Sequence, residues 1–151
     1  MASASPEIKS DGTCAVQELG VQFKCDPHWS TESTGTSGHG LVVASADPLV
    51  TIGWKKFDQS IRFVGQLNKI FFEKIGLYQD GFGTERVNFA GHDAVLVKGY
   101  EKERPDAEHR DYFYLFNDQL VSVSFTLSPK EDWDKGKGLI QKIKDSFTPM
   151  P

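Results

Sequence analysis

Tyr112-Phe113-Tyr114-Leu115-Phe116-Asn117-Asp118-Gln119-Leu120-Val121-Ser122-Val123-Ser124-Phe125-Thr126-Leu127 reads as two strands about a two-residue turn. Asn117 and Asp118 both tolerate left-handed backbone angles, so a tight hairpin can close there, with Leu115 facing Leu120. Side chains alternate across a strand, so Tyr112, Tyr114, Val121, Val123 and Phe125 share one face. Phe113, Leu115, Leu120, Ser122 and Ser124 share the other, which is only half apolar. The first face is expected to be core. The second becomes a partner-binding patch unless a helix covers it.

Directly after the hairpin, Ser128-Pro129-Lys130-Glu131 offers a hydroxyl cap, a proline where no amide is needed and a capping-box glutamate. A helix is predicted to start there. Trp133, Gly136, Ile140, Ile143 and Phe147 recur at helical spacing and would lay one stripe on the apolar face of the sheet, until Pro149 and Pro151 end it.

Working back from this unit, Cys14 to Cys25 reads as a hairpin turning near Leu19-Gly20. That centre places Val16 opposite Phe23 and Cys14 opposite Cys25, close enough for a disulfide. Two reduced cysteines serving as small core residues remain the open alternative. Ser30 to Gly40 is rich in Ser, Thr and Gly and reads as a loop. Gly40 to Ala46 and Leu49 to Trp54 read as strands about Asp47-Pro48. A first long helix is predicted with Asp58 as N-cap, an apolar face of Phe63, Val64, Leu67, Ile70, Phe71 and Ile75, and Gly76 as its end. Phe82 to Phe89 and Ala94 to Tyr100 make another hairpin around Ala90-Gly91-His92, and Glu101 to His109 is a solvated loop. The strand-to-strand links are short, so the sheet is expected to be antiparallel, in an α+β arrangement with helices sandwiching it. Residues 1–13 are expected to be a flexible tail and 14–151 a single domain.

At 151 residues and 16.9 kDa the chain can bury a sizeable core without a metal or a disulfide. A net charge of -4 with scattered Lys and Arg gives no reason to expect nucleic acid as a partner. No apolar run approaches a membrane span, and residues 1–13 have no signal-like apolar segment. The small residues of Met1 to Pro6 fit a chain that begins after a removed leader, and fit a native cytosolic start as well.

The chain resembles the PsbP-like family, named for an extrinsic subunit of photosystem II and sharing its fold with a Ran-binding nuclear import factor and with bacterial exported proteins. The residues that carry the resemblance are Gly20-Val21-Gln22-Phe23 with Pro27 and Trp29, then Gln119-Leu120, Trp133-Asp134-Lys135-Gly136 and Ser146-Phe147. It runs over roughly Leu19 to Thr148. The resemblance implies an antiparallel sheet sandwiched by helices and a non-catalytic accessory or binding role, and it carries over no catalytic residue. Family members that dock on photosystem II have a longer, more basic N-terminal arm than the stretch holding Glu7, Lys9 and Asp11.

Little in the sequence points to chemistry. Ser37-Gly38-His39-Gly40 lacks the strand-turn-helix setting of a nucleophile elbow, and no Lys follows Gly81-Phe82-Gly83 to make a phosphate loop. The histidines at 28, 39, 92 and 109 are not paired at ligand spacing, and the Asp26 to His28 turn needs no ion to explain it. No catalytic residue, no cofactor and no bound metal are expected. Tyr112, Tyr114, Phe125 and Trp133 could line an aromatic cleft between sheet and helix, although aromatics at this spacing usually form core.

The sequence therefore leads to a non-catalytic accessory or binding protein, whose partner is another protein. With a Cys14–Cys25 bridge it would be extracytoplasmic, periplasmic or lumenal, because such bonds persist in oxidising compartments. Two alternatives stand beside this reading. One is a cytoplasmic interaction module that binds a GTPase or acts as a chaperone. The other is a small-molecule-binding protein that uses the aromatic cleft.

Overall fold

The computed structural model describes residues 7–8, 12–25, 29–33, 39–45, 48–102 and 105–150. In chain order its elements are β1 (Glu7–Ile8), β2 (Thr13–Val16), β3 (Val21–Lys24), β4 (Ser30–Ser33), β5 (His39–Ser45), β6 (Leu49–Phe57), α1 (Lys69–Ile75), β7 (Gly83–Phe89), β8 (His92–Gly99), β9 (Glu108–Phe116), β10 (Gln119–Ser128), α2 (Trp133–Asp145) and β11 (Thr148–Pro149). Among the described residues, seven strands form one sheet in the order β4-β5-β6-β10-β9-β8-β7, and β1-β2-β3-β11 form a second. Each of these strand pairs is antiparallel. The sequence placed every strand in a single sheet. Instead the first hairpin packs across a face of the large one.

The β9–β10 hairpin is the centre of the molecule. Leu115 pairs with Leu120, and Asn117 and Asp118 both take positive φ, 51° and 62°, as a two-residue hairpin turn requires. Tyr112, Tyr114, Val121, Val123 and Phe125 belong to a core closed by α2, through Ile140 and Ile143, and by the small sheet, through Cys14, Val16, Val21 and Phe23. On the opposite face Phe113 and Leu120 join Leu67, Phe72, Tyr78, Phe82, Val95 and Val97 in a second core. Helices on both faces of an antiparallel sheet give the α+β arrangement.

Several local expectations change. Asp58 does not cap a long helix. Asn68 caps α1, its Oδ1 accepting from the Phe71 amide at 3.0 Å, and a short 3-10 turn, Val64–Gln66, precedes it. A helix of under two turns buries only a narrow face, here Phe72, so Phe63 and Ile70 are left 62% and 65% exposed. Phe72 meets Phe113 at 4.8 Å between ring centroids, so the half-apolar face of the hairpin is covered.

No side-chain cap starts α2. Ser128 is held as the last residue of β10, paired with Leu49, and a 3-10 turn at Lys130–Asp132 leads into the helix. The expected stripe survives on α2, with Gly136, Ile140 and Ile143 buried and Trp133 half-buried, but the helix ends at Asp145, so buried Phe147 lies past it and Pro149 pairs with β3 instead of ending it. Ser30–Ser33 and His39–Gly40 are strand rather than loop, and Glu7–Ile8 pairs with β2 instead of trailing.

In the first hairpin the register differs by two residues. Val16 pairs with Val21 and Cys14 with Phe23. The connection is a 3-10 turn, Gln17–Leu19, closed by Gly20 at φ 68°. Leu19 is drawn into the core, and its carbonyl accepts a hydrogen bond from the Tyr114 hydroxyl at 2.8 Å, which moves the turn centre one residue towards the N-terminus. A two-residue shift preserves facing, so Cys14 and Cys25 remain on one side as diagonal neighbours with Cα atoms 5.8 Å apart, joined by a disulfide.

Candidate functional site

Between α2 and strands β8 and β9 of the large sheet runs a groove of about 440 Å³. Its floor is a two-by-two block of cross-strand neighbours, with Leu96 opposite Tyr112 and Lys98 opposite Arg110. Its wall is one stripe of α2: Trp133, Lys137, Ile140, Gln141 and Lys144. Alternation on the strands and the 3.6-residue period on the helix thus bring two aromatic rings, two aliphatic side chains and four cations together.

Tyr112 and Trp133 line the groove as the sequence predicts. Tyr114 and Phe125 do not. Both are fully buried, Tyr114 under the small sheet with its hydroxyl on Leu19, and Phe125 against Tyr112 and Phe147 at 5.9 and 5.6 Å. Both positions share the face of Tyr112, but Tyr114 lies two residues nearer the hairpin turn, under the small sheet, and Phe125 lies on the central strand β10, against Phe147. Sequence spacing finds the face of a side chain but not what lies over it.

The basic residues were the missed component. Arg110 lies over the Trp133 ring at 4.2 Å, and Lys144 stands 6.0 Å from the Tyr112 ring centroid, so the aromatic surfaces are already cation-facing. Each cation has an acid on its outer side. Arg110 pairs with Glu108, Lys98 with Glu85 at 3.8 Å, Lys137 with Asp134 at 3.0 Å and Lys144 with Asp145 at 3.5 Å. None of these four acids lines the groove. The Arg110–Glu108 pair is mostly buried, whereas the three lysine pairs are more exposed and worth about 0–1 kcal/mol each, so the lysines can exchange them for an incoming anion. Burial raises the pKa of the Tyr112 hydroxyl, which therefore enters the groove as a neutral donor.

On the opposite face lies a group that the sequence did not bring together. His109 and Asp111 alternate inward on β9, Thr126 faces His109 from β10, Glu101 follows β8, and Tyr78 follows α1 and bridges to Glu101. The Tyr78 hydroxyl donates to Asp111 Oδ2. Asp111 Oδ1 stands 3.6 Å from His109 Nδ1, His109 Nε2 stands 3.8 Å from Glu101 Oε1, and Thr126 Oγ1 is 3.4 Å from His109 Nδ1. His109 and Asp111 are buried. Burial first, and then the Asp111 charge, push the Tyr78 pKa well above its ordinary value, so the phenol stays protonated as a donor. The turn at Asp26 to His28 lies outside the described residues.

By overall shape the chain superposes on the solution structure of cyanobacterial PsbP (CyanoP) from Synechocystis sp. PCC 6803, with a TM-score of 0.60 over 98% of this chain and 94% of that one, at 11% identity. The fold is PsbP-like. A second PsbP-like match is LpqN, described as involved in cell envelope biogenesis of Mycobacterium tuberculosis, with a TM-score of 0.53, 14% identity, and 87% and 83% of the two chains covered. No protein-family model matches the sequence, and no curated protein does. At such identities the PsbP-like fold is shared, and the groove and the acid–histidine cluster must be read from this chain's own residues. No described helix is long and apolar enough to cross a membrane.

Proposed function

We propose that this chain is a non-catalytic, exported accessory protein that binds another protein and seats an acidic segment of it in the groove between α2 and the sheet. The observation that carries the reading is the lining. Lys98, Arg110, Lys137 and Lys144 are interleaved with the apolar surfaces of Leu96, Tyr112, Trp133 and Ile140, with no carboxylate among them. An acidic segment with an apolar residue satisfies both halves of such a surface, and charge complementarity adds specificity and a fast on-rate. The same lining offers no Ser, Thr, Cys or His to serve as nucleophile or base. Export is supported by the Cys14–Cys25 bridge, since such bonds are rare in reducing compartments. It is also supported by the fold shared with LpqN, a protein described as involved in cell envelope biogenesis.

A short peptide of glutamates around one leucine or tryptophan is the probe, with its lysine counterpart as control. In two-dimensional NMR the acidic peptide should shift the amides of Lys98, Arg110, Trp133 and Lys137 and weaken as salt is added. The double variant Lys137→Glu/Lys144→Glu, changed on the exposed side of α2, should keep its fold and lose binding at least tenfold. Equal binding of both peptides, or shifts confined to other surfaces, would remove the groove from the argument. For the compartment, a leader encoded upstream of Met1 supports export, and an upstream frame without one counts against it.

A further inference from the structure

On the face of the sheet away from the groove, we propose that Glu101, His109 and Asp111 form a binding site for a divalent transition-metal cation of the zinc type. One donor atom from each residue can be chosen so that all lie within 4.8 Å of one another. A zinc ion with bonds of about 2.0–2.1 Å holds its ligands about 3.4 Å apart. His109 presents Nδ1 to Asp111 Oδ1 at 3.6 Å and Nε2 to Glu101 Oε1 at 3.8 Å, so one ring nitrogen would ligate the ion and the three donors, within 4.8 Å of one another, would draw in by about 1 Å to reach that spacing.

Three independent features point to a cation. Asp111 is 1% exposed, and its Oδ1 accepts no hydrogen bond, although a buried carboxylate oxygen is costly to leave without a partner. Its other oxygen is occupied by the Tyr78 hydroxyl, which orients the carboxylate so that Oδ1 faces His109. This is the outer-shell hydrogen bond that metal-ligating carboxylates characteristically have.

Charge gives the second argument. The Asp111 carboxylate is buried beside the carboxylate of Glu101 across the His109 ring, and a divalent cation is the partner that two such groups and one imidazole suit together.

Access gives the third. His109 and Asp111 lie on the central strand pair, while the Glu101 side chain is 27% exposed, which leaves an ion a route in from solvent. A nitrogen donor selects against calcium and magnesium, which prefer all-oxygen sites, and favours zinc or a similar ion.

The test is isothermal titration of the chelator-treated 151-residue chain with zinc chloride, with calcium and magnesium chloride as controls. One zinc per chain is expected, with proton release on binding and weakening as pH falls, because His109 must bind as the neutral ring. The His109 ring resonances should move on zinc addition and those of His92 should not. Glu101→Gln, at the partly exposed ligand, should stay folded and bind at least tenfold more weakly. Asp111→Asn should lose binding altogether, and if it fails to fold, Glu101→Gln decides alone. Three results would each overturn the site: no zinc uptake by folded protein, uptake unchanged in Glu101→Gln, or uptake abolished by replacing His28 or His92.

Discussion

Replacing Gly136 by alanine reverses the usual rule for helices. In an exposed helix interior Gly→Ala gains about 1 kcal/mol, because alanine loses less backbone freedom on folding. At Gly136, however, a Cβ would stand 2.3 Å from Leu127 Cδ1 and 3.2 Å from Pro48 Cγ, whereas carbon atoms in contact sit about 3.5–4.0 Å apart. Leu127 is fully buried, so its methyl has no free space to retreat into. Either it leaves its rotamer or α2 lifts from β10, and overpacking of this kind costs about 1–3 kcal/mol. Set against the helix gain, the variant should be destabilised by about 1 kcal/mol. Gly138 lies two residues along the same helix, with nothing within 4 Å of its would-be Cβ. There the gain should appear undiminished. Urea unfolding of both variants, followed by tryptophan fluorescence and far-ultraviolet circular dichroism, reads the sign directly. If Gly136→Ala and Gly138→Ala stabilise alike, the close approach of α2 to the sheet is wrong, and with it the wall of the groove.

Phe125→Ala should cost about 3–5 kcal/mol, since the side chain is fully buried between Tyr112 and Phe147; a loss under 1 kcal/mol by urea titration would contradict that packing. Denatured, non-reduced protein should take up no thiol label and, after reduction, two; closing a ring of this size stabilises by about 3 kcal/mol less any strain, so reduction should lower the melting temperature. Burial lowers the pKa of His92, whose ring stacks on Tyr114 at 4.6 Å. The unfolded chain then binds a proton more readily, so this contribution is present above about pH 6.5 and is lost as pH falls below it. Relative to His92→Phe, the natural protein should lose stability between pH 7 and pH 5, and parallel urea midpoints across that range would refute the assignment.

The legible parts of the fold were those where one local signal had a single solution. Strict alternation from Leu120 to Leu127 about Asn117-Asp118 determined both faces of the central hairpin, and both are as read. The stripe of α2 was readable for the same reason. The first helix was misjudged because Phe63, Val64, Leu67 and Ile70 imitate a helical period, while Asn68 starts the real helix ten residues after Asp58. The hairpin register turned on a tertiary hydrogen bond from Tyr114, ninety-five residues from Leu19, which no local pattern encodes. Half of the candidate groove was visible as Tyr112 and Trp133. Its cations were not, because Lys98 and Arg110 become neighbours only through strand pairing. The acid–histidine cluster joins Tyr78 and Asp111, thirty-three residues apart, and was invisible for that reason.

The position of β10 also governs the order in which the protein can be made. The β4-β5-β6 strands and the β7-β8-β9 strands are separate sheets until β10 inserts between β6 and β9. That strand follows both units in sequence and ends at Ser128, so a ribosome has translated both before they have anything to join them. About 70 residues separate the end of β6 from the end of β10, so at about 5–20 residues per second the β4-β5-β6 unit waits several seconds with its β6 edge open. A sheet whose central strand is translated last depends on holding factors until that strand has emerged.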